Sequence, residues 1–191
     1  MTPGAAAGPD GRMRCPWSVS TDDYIAYHDT EWGRPVTDDA GMYERLTLEA
    51  FQSGLSWLTI LRKRPAFRAA FAGFDPAKVA EFGPADVDRL LADRGIVRNR
   101  AKIDAAIANA RATLEVPGGV AALVWSYAPA YTPARRSLAD VPATTPESTA
   151  LAKRLRSLGF RFVGPTTCYA AMQACGLVND HLTACEFHPP A

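Results

Sequence analysis

No run in this 191-residue chain approaches the roughly 18 consecutive apolar residues that a membrane-spanning helix needs. The first dozen residues, Met1 to Arg12, lack the apolar core of a secretion signal, so the protein is expected in the cytoplasm, with no membrane partner. Strand patterns are weak and no internal repeat is present, so the fold is expected to be mostly α. Cysteine is sparse. Of the four, Cys168 and Cys175 lie seven apart in a stretch that reads as helix, which puts their Cα atoms about 10 Å apart, too far for a disulfide. Net charge is also small, at +1 from 21 Lys and Arg against 20 Asp and Glu, and on its own neither argues for nor excludes a nucleic-acid partner. What remains is the composition of a soluble globular protein, 48% apolar and 21% charged. As one domain it is long enough to bury about 70% of its unfolded surface without a disulfide staple.

The near-zero balance hides an asymmetry. Residues 22–49 hold eight acids (Asp22, Asp23, Asp29, Glu31, Asp38, Asp39, Glu44, Glu49) against Arg34 and Arg45, a net charge of −6. Residues 50–191 hold seventeen bases against eleven acids, net +6, with two clusters free of acids: Arg62, Lys63, Arg64, Arg68 and Lys153, Arg154, Arg156, Arg161. A one-sided basic surface is what a phosphate backbone requires, although solvated helix faces give the same pattern.

Residues 1–12, mostly Ala, Gly and Pro, are expected to form a disordered tail. Gly and Pro then punctuate a series of short helical patterns. Asp38-Asp39 caps a helix to about Ser53, and Ser56 caps a second to about Ala72. Pro76 and Pro84 open two more, the latter ending near Gly95, and Arg98 to Leu114 is an Ala/Ile helix broken by Pro117-Gly118-Gly119. Residues 126–145 read as a long loop. Thr145-Pro146-Glu147 starts a helix to Leu158, and a turn from Gly159 to Pro165 leads into a last helix, Thr166 to Cys175. That turn can bring backbone N–H groups to an anion at a helix N-terminus, although an ordinary helical hairpin gives the same pattern.

Two constellations carry chemistry. His181-x-x-x-Cys185 spaces two soft ligands by one helical turn, and Cys15 with His28 offers a second pair; together they make a Cys2His2 set that suits Zn2+. Spacing alone leaves open unrelated buried cysteines and surface histidines. A four-ligand shell would be structural, clipping the two chain ends together. The second constellation is Glu49, at the border of its helix's apolar stripe, in the same part of the chain as Trp17, Tyr24, Tyr27, Trp32 and Trp57. Such a carboxylate either snorkels to water or is buried for a purpose. Aromatic faces with one carboxylate suit a flat cationic ring.

Six blocks then carry a resemblance: Cys15-x-Trp17; Tyr24 to Gly33; Leu48-Glu49-x-x-Gln52-x-Gly54-Leu55-Ser56-Trp57; Gly95 to Arg98; Phe162-Val163-Gly164; and Gly176 to His181. Together they resemble the bacterial 3-methyladenine DNA glycosylase I family over about residues 13–186. The resemblance implies a helix-hairpin-helix DNA glycosylase fold in a single domain, residues 13–191, with one structural Zn2+ joining the N- and C-terminal segments on Cys15, His28, His181 and Cys185. It also implies base excision from double-stranded DNA containing alkylated bases, by a monomer. The base pocket becomes Glu49, Tyr27 and Trp57, with Trp17 and Tyr24 beside it. The DNA-binding residues become Gly54 and the wedge Leu55, with Arg161, Val163, Gly164 and Thr166 in the hairpin.

Many members of the wider helix-hairpin-helix superfamily carry a hairpin lysine where this chain has Pro165-Thr166-Thr167, and an aspartate where it has Asn179. Their absence implies a monofunctional enzyme in which water attacks C1′ and the strand is not cut. The rival reading is a zinc-stabilised helix-hairpin-helix DNA-binding module without catalysis.

Overall fold

The computed structural model describes residues 4–187 of the chain. Nine α-helices lie in the described residues: α1 (Asp22–Thr30), α2 (Asp39–Gln52), α3 (Trp57–Ala70), α4 (Pro76–Ala80), α5 (Pro84–Ala92), α6 (Arg100–Leu114), α7 (Val120–Trp125), α8 (Pro146–Ser157) and α9 (Pro165–Ala174). Their starts are set by side-chain chemistry. Thr21, Asp38, Ser56, Asp75, Asn99 and Thr145 each sit just outside a helix and accept a hydrogen bond from a first-turn N–H that would otherwise lack a partner. Proline opens α4, α5, α8 and α9, where its missing N–H costs nothing.

The expected mostly α architecture is found. Sequence periodicity does not reveal α1 or α7. α1 is short and its buried residues are Tyr27 and His28 rather than an aliphatic stripe, and α7 begins immediately after the Gly118-Gly119 break.

α2 is the axis of the molecule. Met42 and Leu46 belong to a core shared with α7, α8 and α9, whereas Tyr43, Leu48 and Phe51 belong to a second core with α3 to α6. Every residue from Leu46 to Phe51 is therefore buried, Glu49 included. In the second core Phe51, Phe67, Phe71 and Phe74 pack ring on ring at 4.8–6.1 Å, a rigid backing for the middle of α2.

The structure corrects the expectation of a disordered tail. β1 (Ala6–Ala7) pairs antiparallel with β2 (Met13–Arg14). The cause is Arg14, which is almost wholly buried and needs acceptors: Asp10 takes its Nη1 and Nη2 at 2.6 and 2.8 Å, and Asp29 takes Nε and Nη2. Met13 and Glu186 exchange two further hydrogen bonds, at 2.8 and 2.9 Å, so segments far apart in sequence meet here. Residues 1–3 lie outside the described part. Cys168 and Cys175 are buried free thiols, as expected.

Candidate functional site

One cavity of about 300 Å3 collects Trp17, Tyr24, Tyr27, Glu49 and Trp57, all five residues named for the base pocket. Trp17 lies on the short 3-10 turn before α1, Tyr24 and Tyr27 stand one turn apart on α1, Glu49 comes from the middle of α2, and Trp57 opens α3. The rings fix one another: Trp17 meets Tyr24 edge-on at 5.6 Å, and Tyr27 leans on Trp57 at 5.4 Å. The Tyr24 hydroxyl accepts the Leu58 N–H at 2.9 Å, tying α1 to the start of α3. The Trp57 indole N–H is buried without a partner.

Glu49 is 6% exposed. Burial pushes its carboxyl up to about 8, and the nearby Arg45 guanidinium offsets only part of that. Burial likewise raises the Tyr27 phenol, with Glu49 adding to the shift, so Tyr27 keeps its proton across the physiological range. Arg45 itself is paired with Glu31 at 3.1 Å, and Arg64 grips the same carboxylate at 2.6 and 2.7 Å.

The cavity also contains Trp32, Gln52, Gln173 and Asp180, which the sequence reading did not assign. Asp180 comes directly after Asn179, the position at which this chain lacks an aspartate. Its buried carboxylate accepts from Arg135 Nε at 2.7 Å, the Tyr169 hydroxyl at 2.6 Å and Gln173 Nε2 at 2.8 Å. Those donors come from the long loop and from α9, so no local spacing could have pointed to it.

A second opening joins the cavity. It shares Glu49, Gln52 and Ala170 and continues between the Ser53-Gly54-Leu55 turn and Thr166-Thr167 at the start of α9. Leu55 is 42% exposed and stands beside this mouth. On the other flank, α8 and α9 are joined by residues 158–164. Asn109 of α6 holds that turn by its backbone: Nδ2 donates to the Arg161 carbonyl at 3.0 Å and Oδ1 accepts from the Arg161 N–H at 2.7 Å. Val163 is 1% exposed, so its side chain packs the core and only its backbone is available to a ligand.

The two basic clusters part company here. Arg62, Arg64 and Arg68 pair with Asp23, Glu31 and Glu44 of the acidic segment, and Lys63 donates to the carbonyls of Arg94 and Gly95. Lys153, Arg154, Arg156 and Arg161 make no salt bridge among the described residues.

Behind the aromatic wall lie Cys15, His28, His181 and Cys185, all buried, with their ligand atoms within 4.8 Å of one another. This cluster can hold a metal ion. Cys185 Sγ lies 3.6 Å from His28 Nε2 and 3.6 Å from His181 Nδ1, and Cys15 Sγ lies 4.0 Å from His181 Nδ1. His28 turns its Nδ1 to Asp29 at 2.8 Å, leaving Nε2 facing the thiols. Gly33 permits the close packing around His181: a Cβ there would sit 3.1 Å from His181 Nε2, at a φ of +76°.

Fold and site together define a helical protein with an aromatic-lined pocket, two buried carboxyls in it, Glu49 and Asp180, and a mouth between the Leu55 turn and the start of α9. The methyladenine glycosylase family matches residues 17–188. The chain is 48% identical over 182 residues to DNA-3-methyladenine glycosylase 1 of Escherichia coli K12, covering 92% of this chain and 97% of that one. A solved structure of a 3-methyladenine DNA glycosylase I superposes with a TM-score of 0.88 at 49% identity, over 92% of this chain and all of that one. Another, of a glycosylase I variant in complex with 3-methyladenine, gives 0.88 at 34% identity over 93% and 98%. The chain belongs to the methyladenine glycosylase family.

Proposed function

We propose that this chain excises 3-methyladenine from alkylated double-stranded DNA by hydrolysing the N-glycosidic bond, as a single-domain, monomeric base-excision repair enzyme. The observation that carries this reading is Glu49, a buried carboxyl in the middle of a pocket of aromatic rings. Methylation at N3 makes the nucleobase cationic, so the bond to the sugar is already weak and the leaving group needs no general acid. The protein has to extrude the nucleotide and hold the ring. Leu55 fills the gap in the stack, Tyr27 and Trp57 face the ring, and Glu49 accepts the exocyclic amine and balances the positive charge. Water then attacks C1′, the C1′–N9 electron pair leaves with the base as neutral 3-methyladenine, and the water's proton passes to solvent. The test is incubation with alkylated DNA and identification of the released bases. Free 3-methyladenine is the expected product; DNA binding without release would leave only a binding module.

The first turn of α9 carries Pro165-Thr166-Thr167, with no amine to form a Schiff base at C1′. Abasic DNA is therefore expected to stay uncleaved, and borohydride is expected to trap no protein–DNA adduct. A covalent adduct would sink the water mechanism.

The unpaired bases of α8 and Arg161 flank the α8–α9 turn, and this is the face that meets phosphate, through backbone N–H groups that carry no sequence information. A Cβ at Gly164 would meet only Arg156 Nη2, at 3.6 Å, so Gly164→Val is expected to fold. Its added bulk at the start of α9 is expected to weaken DNA binding about tenfold whether or not a lesion is present. Undiminished binding in a gel-shift titration would move the phosphate contact elsewhere.

The Cys15, His28, His181 and Cys185 cluster holds one structural Zn2+ per chain in this reading. A tetrahedral zinc with bonds of about 2.3 Å to sulfur and 2.0–2.1 Å to nitrogen sets ligand atoms roughly 3.5 Å apart, and two of the sulfur–nitrogen separations are 3.6 Å. Four protein ligands leave no open position for substrate, so the metal would fix the fold rather than activate water.

A further inference from the structure

Lys102 is a buried lysine in the first turn of α6, and neither the pocket nor the basic face uses it. A cation at that end opposes the dipole of its own helix, and burial lowers its pKa, so α6 gains nothing from the charge. Its ammonium instead reaches across to the end of α2, donating to the Phe51 carbonyl at 2.9 Å and the Ser53 carbonyl at 2.5 Å. These are carbonyls that a helix terminus leaves without intrahelical partners, at the pole where a cation is favoured.

Immediately beyond those carbonyls the chain enters the turn that bears Leu55. Residues 53–56 are all exposed, Gly54 takes a φ of +81°, and a Cβ on it would meet nothing within 4 Å. Packing therefore does little to hold this turn. It is held by hydrogen bonds: Leu55 N–H to the Gln52 carbonyl at 2.6 Å, the Ser56 cap on Thr59, and the two bonds from Lys102. A side chain that enters a base stack must not yield when the stack pushes back. We infer that Lys102 is a positioning residue that clamps the Gln52–Ser56 turn so that Leu55 is presented rigidly to the duplex; this rests on the reading of Leu55 as the wedge.

Tritium-methylated DNA, offered as duplex and as heat-denatured single strands, separates extrusion from the later steps, and calorimetric binding of free 3-methyladenine reports the pocket alone. Lys102→Met is expected to lower release from duplex about tenfold, as loss of charge-assisted hydrogen bonds predicts. It should lower release from single strands much less and leave free-base affinity within about twofold. Lys102→Arg, which keeps charged donors, should recover most of the duplex rate. Assays run well below the lower melting temperature, and Lys102→Gln replaces the Met variant if that fails to fold. An equal fall in all three readouts would assign Lys102 a purely structural role and overturn the inference. If Leu55→Ala slows duplex release and Lys102→Met does not, the clamp is wrong and the wedge stands. If neither variant slows it, the wedge reading itself fails, and the clamp with it.

Discussion

Exchange of Cys15 for serine is expected to release the zinc and lower the melting temperature by on the order of 10 °C. Cys15 and Cys185 lie near opposite ends of the described chain, and their ligand atoms come together with those of His28 and His181. Closing a loop of roughly 170 residues removes enough entropy from the unfolded chain to stabilise the fold by about 5 kcal/mol at most. Part of that is retained by the bonds of Arg14 to Asp10 and Asp29 and by the Met13–Glu186 pair, which hold the same segments without metal. The checks are elemental analysis and thermal melts of both proteins, with a chelator titration of the parent. A Ser variant with full metal content and an unchanged melt would remove Cys15 from the ligand set. The excision assay itself should need no added metal.

Above pH 8, where the Glu49 carboxylate is ionised, Glu49→Gln is expected to weaken binding of free 3-methyladenine ten- to a hundredfold, the worth of a hydrogen bond in which one partner is charged. Calorimetry measures it, and equal affinity would take Glu49 out of base recognition. The pH dependence gives a second signature. The folded-state value of about 8 lies above the ordinary 4.5, so the folded protein holds this proton more tightly than the unfolded chain does. Stability from this group is complete below about pH 4.5 and is lost as pH rises towards 8. Relative to the Gln variant, the parent should lose on the order of 3 kcal/mol across that window, read from melts at pH 5 and pH 9. Excision moves the other way. The ionised carboxylate is the form that attracts a cationic base, so kcat/KM should climb towards pH 8 and level off, and Gln should lack that limb.

Much of the fold and site is legible in the sequence because the signals are local. The caps Asp38, Ser56 and Thr145 and the prolines at 76, 84 and 146 announce their helices within a few residues. The Cys and His pairs and the run of aromatics around Glu49 each name a chemistry by residue type alone. The features that stay hidden depend on partners distant in sequence. The order of residues 6–14 rests on Asp29 accepting from Arg14, and the place of Asp180 rests on Arg135 and Tyr169. The cluster at 62–68 looks available to phosphate until folding sets it against Asp23, Glu31 and Glu44. Charge counting registers amounts and not pairings, which is why the two basic clusters look alike in the sequence and differ in the fold.

Trp17 and Trp32 each serve two neighbours. Both line the pocket, and both lie against the histidines of the metal cluster: Trp17 is 5.4 Å from His28, while Trp32 stacks on His28 at 6.0 Å and meets His181 at 4.6 Å. The ligand cage and the base pocket thus share a wall one ring thick. These ring contacts give the two sites a route by which metal binding and base binding would affect one another. Thermodynamic reciprocity makes the two effects equal in size. A metal held in that cluster would therefore bear on how tightly a base is held in the pocket, without taking part in bond breaking.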